Sequence, residues 1–191
     1  MLLLRKPDPE SIRSFLASQA ELGFTYESVG ATRDEPPPGY VVDETRIRLG
    51  GGEQVFAKAQ TALENWQQFQ LGWLEAWPAT TSIRKGEVVA IVAHAIGLCW
   101  LNACRIVYVI DEQSERKKFG FAYGTLPEHT GSGEERFLVE MDEKETVWYD
   151  ILAFSRPHGA LTHLGYPYMR HLQKQFGKQS AAVMRQVIAS T

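Results

Sequence analysis

Cysteine is scarce in this chain: Cys99 and Cys104 are the two in 191 residues. Two thiols cannot build the disulfide framework of a small secreted domain, and on an apolar strand an offset of five sends them to opposite faces. They read as core thiols of a protein in a reducing cytoplasm. Long apolar runs are also missing. Met1 to Leu4 is far shorter than the apolar core of a signal peptide, and Arg5, Lys6 and Pro7 follow at once. The stretch from Val88 to Leu101 is interrupted by His94 and falls short of the about 20 residues that a membrane-spanning helix needs. A soluble cytoplasmic protein without an integral membrane segment is therefore expected. Strong charge of either sign is absent as well, because 20 basic against 23 acidic residues leave a net charge of −3. That balance argues against nucleic acid as the partner. Acid is missing locally: beyond Asp150 the formal charges are Arg156, Arg170, Lys174, Lys178 and Arg185. A solvated basic helix face near acidic strand edges accounts for this asymmetry, with an anionic ligand or surface as the alternative.

Several functional motifs are absent too. Gly50-Gly51-Gly52 stands at a strand-to-helix turn, yet neither G-x-x-x-x-G-K-[ST] nor G-x-G-x-x-G occurs around it. It reads as a plain turn. Lys117 to Tyr123 partly matches an RNA-recognition strand, but Lys118 replaces the glycine of that consensus and Gly124 its last aromatic. Core aromatics explain it better. The histidines are His94, His129, His158, His163 and His171, with no pair at the i, i+4 spacing of a helical zinc site. Neither a metal nor a cofactor is expected. There is no G-x-S-x-G elbow, and thiols in apolar surroundings are poor nucleophiles.

What is present is the composition of a globular domain, 44% apolar and 23% charged. Pro9 opens a short helix whose apolar face holds Ile12, Phe15 and Leu16. The run Asp34 to Gly39 contains three prolines and breaks regular structure, so residues 1–40 read as an N-terminal helix and proline-rich linker packed on a domain of residues 41–191. Thr45 to Leu49 alternates as a strand, and Val55, Phe56, Ala59, Ala62, Leu63 and Trp66 form a helical stripe. From Leu71 to Ser155 the apolar period becomes two. Strands are predicted at 71–77, 87–94, 100–110, 118–126, 135–141 and 147–154, and their short polar connections suit an antiparallel meander. Pro167 to Ile188 returns to a 3.6-residue period as a long closing helix. Phe119, Phe121 and Tyr123 share one strand face, which is expected to meet that helix.

The stretch Tyr123-Gly124-Thr125-Leu126-Pro127-Glu128-His129, followed by Gly133-Glu134-Glu135-Arg136-Phe137, resembles a bacterial and plant family known as domain of unknown function nineteen-ninety. Asn102-x-Cys104-Arg105-Ile106-Val107-Tyr108 and Phe154-Ser155-Arg156-Pro157 carry the resemblance further. That family is similar to the helix-grip superfamily of START domains, birch-pollen-allergen-like proteins and polyketide cyclases. The resemblance implies an α+β fold in which a curved antiparallel β-sheet wraps around a long C-terminal helix, with an N-terminal helical extension. It also implies an apolar cavity between sheet and helix, and hence a small apolar ligand, with Phe119, Phe121, Tyr123, Phe137, Val139 and Met141 as its lining.

Parity places Glu135 on the side of Phe137 and Val139, so it is expected to point inward at the rim with His129 beside it in a loop from Gly124 to Glu135. Candidate ligand contacts are Tyr123, Phe121, Phe119, His129, Glu135, Phe137, Arg105 and Arg156. Three functions compete. The first is a binder or carrier of a small apolar molecule. The second is a cyclase- or hydrolase-type enzyme with Glu135 as general base and Arg105, Arg156 or Tyr123 stabilising negative charge. The third is an interaction protein with a filled core. Val88 to Val92 and Ile106 to Ile110 are apolar on both parities, so the outer face of the sheet needs a cover, either residues 1–40 or a second copy in a homodimer.

Overall fold

Asp8 starts the first helix: its carboxylate accepts from the Glu10 and Ser11 amides, and Pro9 fills the first helical position. Helix α1 (Pro9–Gln19) then buries Ile12, Phe15 and Leu16. The computed structural model describes residues 1–158 and 165–190, so His163 lies outside the described residues. The remaining elements are β1 (Leu2–Leu3), β2 (Val41–Gly51), α2 (Glu53–Glu64), β3 (Leu74–Trp77), β4 (Val88–Ala95), β5 (Leu98–Gln113), β6 (Lys117–Thr125), β7 (Gly131–Met141), β8 (Thr146–Pro157) and α3 (Tyr166–Ala189).

All strands pair antiparallel in the order β2-β8-β7-β6-β5-β4-β3, and β1 lies beside the start of β5 with Leu2 opposite Trp100. The meander thus runs from β3 to β8 and is closed on one side by the early strand β2. Helix α3 crosses the concave face. This is the curled sheet and closing helix that the sequence implied.

The loop expected between Gly124 and Glu135 is shorter than the glycines suggest. β6 continues to Thr125 and β7 begins at Gly131, leaving residues 126–130 as the turn. Two of those glycines serve close approach. A Cβ on Gly124 would lie 2.0 Å from the Tyr26 hydroxyl, and one on Gly133 would lie 1.9 Å from the Phe154 carbonyl oxygen.

The aromatic face of β6 does not meet α3 directly. The segment just after α2 and a 3-10 turn (Gln67–Phe69) interpose Trp66 and Phe69. Trp66 packs edge-on to Phe121 at 4.9 Å, Phe69 packs on Phe137 at 5.3 Å, and Phe69 stacks on Phe176 of α3, also at 5.3 Å. This half of the grip is filled.

On the convex face, Ile12, Phe15 and Leu16 pack with Ala90, Val92, Cys99, Leu101 and Leu126. Arg105 also points this way. Its guanidinium donates to the carbonyls of Gln19, Ala20 and Leu22 at the end of α1, where a cation complements the helix dipole. Farther along, residues 24–33 lie over Tyr108 and Ala122 through Phe24, Thr32 and Arg33. They are fastened by Glu134, which is 2% exposed. Its carboxylate accepts from the Tyr26 hydroxyl at 2.7 Å, the Gly30 amide at 2.7 Å, the Thr32 amide at 3.0 Å and the Thr32 hydroxyl. The chain itself therefore covers this part of the outer face. Cys99 and Cys104 lie in the outer and inner clusters, as their spacing implies.

Candidate functional site

Beyond Phe69 the grip is not filled, and a cavity of about 190 Å³ remains between the sheet and the first turns of α3. Its walls are largely apolar. Leu74, Ile91, Ala93 and Trp100 come from β3, β4 and β5; Phe154 comes from β8; Met169, Leu172 and Phe176 come from α3; Trp73 and Phe69 come from the segment before β3.

One row of residues crosses this cavity along the ladder direction. Tyr123 stands opposite Glu135, Glu135 opposite Ala153, and Ala153 opposite Asp43, so four neighbouring strands present these side chains on one face. All four line the cavity. Ala153 is the small member, and its short side chain leaves room between the two carboxylates.

Glu135 is the central polar group. Its Oε2 accepts a hydrogen bond of 2.7 Å from the Tyr123 hydroxyl. Burial pushes its carboxyl up to about 7; the Tyr123 bond opposes that rise and the nearby Asp43 adds to it. Burial also drives the Tyr123 phenol upward, with Glu135 reinforcing the effect. Asp43 in turn is gripped by Arg170 of α3 in a bidentate pair of 2.5 and 2.6 Å. Arg170 donates further to Gln173, which reaches Ser155 at 3.0 Å. This polar chain ties α3 to the far side of the sheet.

His129 sits in the turn after β6 and lines the same cavity. The Gly131 amide donates to its Nδ1 at 2.8 Å, and burial pushes its pKa down to about 4, so the ring is neutral near pH 7. It makes no hydrogen bond to Glu135 among the described residues; the bonded partner of Glu135 is Tyr123.

The other residues expected at the site lie elsewhere. Phe119, Phe121 and Phe137 belong to the filled aromatic half, together with Val139 and Met141. They are core residues, because Trp66 and Phe69 occupy the space in front of them. Arg105 is on the convex face against α1, and Arg156 stacks over the Tyr40 ring at 4.6 Å, so neither guanidinium is on the cavity wall. Asp43 and Trp73 were not anticipated. Asp43 did carry a signal, since it continues the inward parity of Thr45, Ile47 and Leu49 by one more step. Among the described residues no group of three or more His, Cys, Asp and Glu could hold a metal ion. No helix there is long and apolar enough to cross a membrane.

Residues 25–183 match the family described as domain of unknown function DUF1990. The UPF0548 protein of Dictyostelium discoideum is 35% identical over 209 residues, covering 100% of this chain and 97% of that protein. The UPF0548 protein of Arabidopsis thaliana is 36% identical over 157 residues, covering 80% of this chain and 76% of that protein. A START superfamily protein from Mycobacterium smegmatis superposes with a TM-score of 0.52 at 9% identity over 79% of this chain and 98% of that one, a likeness of fold alone. By the extent of these matches, and with a curled antiparallel sheet closed by a C-terminal helix as in the START-like folds, this chain belongs to the DUF1990 family.

Proposed function

We propose that the chain binds or carries a small, mostly apolar molecule in the cavity between the sheet and α3, oriented by the Tyr123 and Glu135 pair. The observation that carries this reading is an apolar-walled space of about 190 Å³ with the Tyr123 and Glu135 pair on its floor. A dry engineered cavity of about 150 Å³ holds one benzene molecule, so this one suits a single substituted ring rather than a long acyl chain. The filled aromatic half sets that limit and speaks against a core filled throughout. Buried, unpaired thiols at Cys99 and Cys104 support residence in a reducing compartment.

The test is mass spectrometry of molecules released from protein purified under native conditions, compared with an Ala153→Phe variant whose ring fills the cavity floor. A ring-sized compound is expected from the parent chain and not from the variant. Equal release from both, or none from either, overturns the reading.

A second reading, a cyclase- or hydrolase-type enzyme, is supported by a carboxyl whose pKa is pushed up to about 7 at the cavity floor. Glu135 would take a proton from a bound carbon or water acid, and the Tyr123 hydroxyl would stabilise the charge that develops. Turnover of a bound compound that Glu135→Gln abolishes without weakening binding selects this reading over the first.

A further inference from the structure

We infer that the occupant of the cavity is a small organic cation, an amine in its protonated form on an apolar body, held by the Glu135 carboxylate within aromatic walls. This rests on the cavity-binding reading and names the ligand class for it.

The residues lining the cavity include Asp43, Glu134 and Glu135, the Glu134 side chain turning away to the convex face, and among the described residues neither lysine nor arginine. The Asp43 and Glu134 carboxylates are already engaged. Asp43 is clamped by Arg170, and Glu134 is surrounded by the donors of residues 26–32. Glu135 is different: Tyr123 donates to Oε2, and among the described residues no hydrogen bond reaches Oε1. A carboxylate offers about four acceptor sites, so most of its capacity faces the cavity unused.

Among the described residues the groups around it supply no positive charge. Tyr123 of β6, Cys104 of β5 and Tyr149 of β8 are neutral acids whose own pKa values the Glu135 charge raises, and Asp43 of β2 repels Glu135 while being paired with Arg170 of α3. His129 in the turn stays neutral with Nδ1 occupied by the Gly131 amide. A buried carboxylate without a counter-ion is costly and takes up a proton instead. A ligand ammonium removes that cost by furnishing the missing charge and donors together.

The walls fit the same chemistry. Phe69, Trp73, Trp100, Tyr168 and Phe176 present aromatic rings around the space, and ring faces attract cations. An anionic ligand would meet Glu135 and Asp43 without a compensating base. A neutral alcohol would satisfy one acceptor and leave the charge unpaired.

The test is calorimetric titration of the full chain, stripped of co-purified molecules, with benzylamine, benzyl alcohol and benzoate at pH 6 and pH 8. At pH 8 benzylamine is expected to bind about ten-fold or more tightly than benzyl alcohol, with benzoate weakest. Because Glu135 titrates near 7, about a tenth of it is ionised at pH 6, and benzylamine affinity should fall about ten-fold there while benzyl alcohol affinity does not. Glu135→Gln should erase the preference for the amine and keep benzyl alcohol binding. If that variant does not fold, the pH dependence in the parent chain decides. Benzyl alcohol or benzoate binding as tightly as the amine, or an amine preference that is insensitive to pH, overturns the cation and leaves the cavity reading intact. Failure of all three probes to bind overturns both.

Discussion

Glu134 and Glu135 are neighbours in sequence and opposites in circumstance. On the convex face Glu134 is sealed under residues 26–32 with four donors around its carboxylate. On the concave face Glu135 has one donor among the described residues and opens onto the cavity. Glu134 is fully buried and Glu135 half-buried, so exposure separates them only in part. What separates them is satisfaction. A buried carboxylate whose acceptors are all filled holds two parts of a fold together, whereas one left mostly unfilled in a cavity is the group on which the proposed ligand reading rests.

The largest expected effect comes from deleting the convex cover altogether. A chain beginning at Tyr40 loses Ile12, Phe15 and Leu16, each worth about 1.5–3 kcal/mol of burial, and uncovers Ala90, Val92, Leu101 and Leu126. Destabilisation of about 5 kcal/mol or more, with self-association, should appear in denaturant unfolding and sedimentation. A monomer as stable as the full chain would mean that residues 1–40 are no part of the fold's support.

Glu134→Ala should come next, at about 3–5 kcal/mol by urea unfolding, because it orphans the Tyr26 hydroxyl and the amides of Gly30 and Thr32. The cavity probes should still bind if the two faces are independent. A loss smaller than that of an ordinary surface substitution would dissolve the contrast between the neighbouring carboxylates.

The smallest effect, and the sharpest, is a change in pH dependence. Glu135 keeps its proton up to about pH 7 when folded but releases it near its ordinary 4.5 when unfolded, so its contribution to stability is present below 4.5 and is lost as pH rises to 7. His129 does the reverse. Its pKa falls from 6.5 to about 4 on folding, so its contribution is present above 6.5 and is lost as pH falls to 4. The two trends oppose each other between about pH 4.5 and 6.5. In that window Glu135→Gln should leave a stability that rises with pH, and His129→Gln one that falls, each by about 1–3 kcal/mol in urea midpoints at stepped pH. Variants that both follow the parent profile would show that neither group is desolvated.

Local pattern made much of the fold legible. The apolar strand runs of β4 to β8, separated by short polar turns, and the helical period of α3 were readable because each depends on residues close in sequence. The inward aim of Glu135 followed from the parity of Phe137, and the need for a convex cover followed from strands apolar on both faces. The plug was not legible. Trp66 and Phe69 straddle the end of α2 and a 3-10 turn with no period of its own, and nothing local says that they stand between β6 and α3. The role of Glu134 was hidden for a different reason. Its donors are more than 100 residues away in sequence, in a segment without regular periodicity. Arg105 was misplaced although parity was available: Cys104 faces the concave core, so its neighbour must face outward.

Phe69 belongs to both halves of the grip, stacked on Phe176 in the filled part while its ring also bounds the cavity. It is held by a short turn rather than by the sheet or the long helix. A change of side chain at this single position would lengthen or shorten the space without disturbing any strand pairing or the clasp on the far face. On the cavity-binding reading proposed above, a change in what the cavity accepts therefore requires no new architecture. One substitution at a hinge between helix and strand is enough to redraw the inner contour, while the rest of the chain stays under the same constraints.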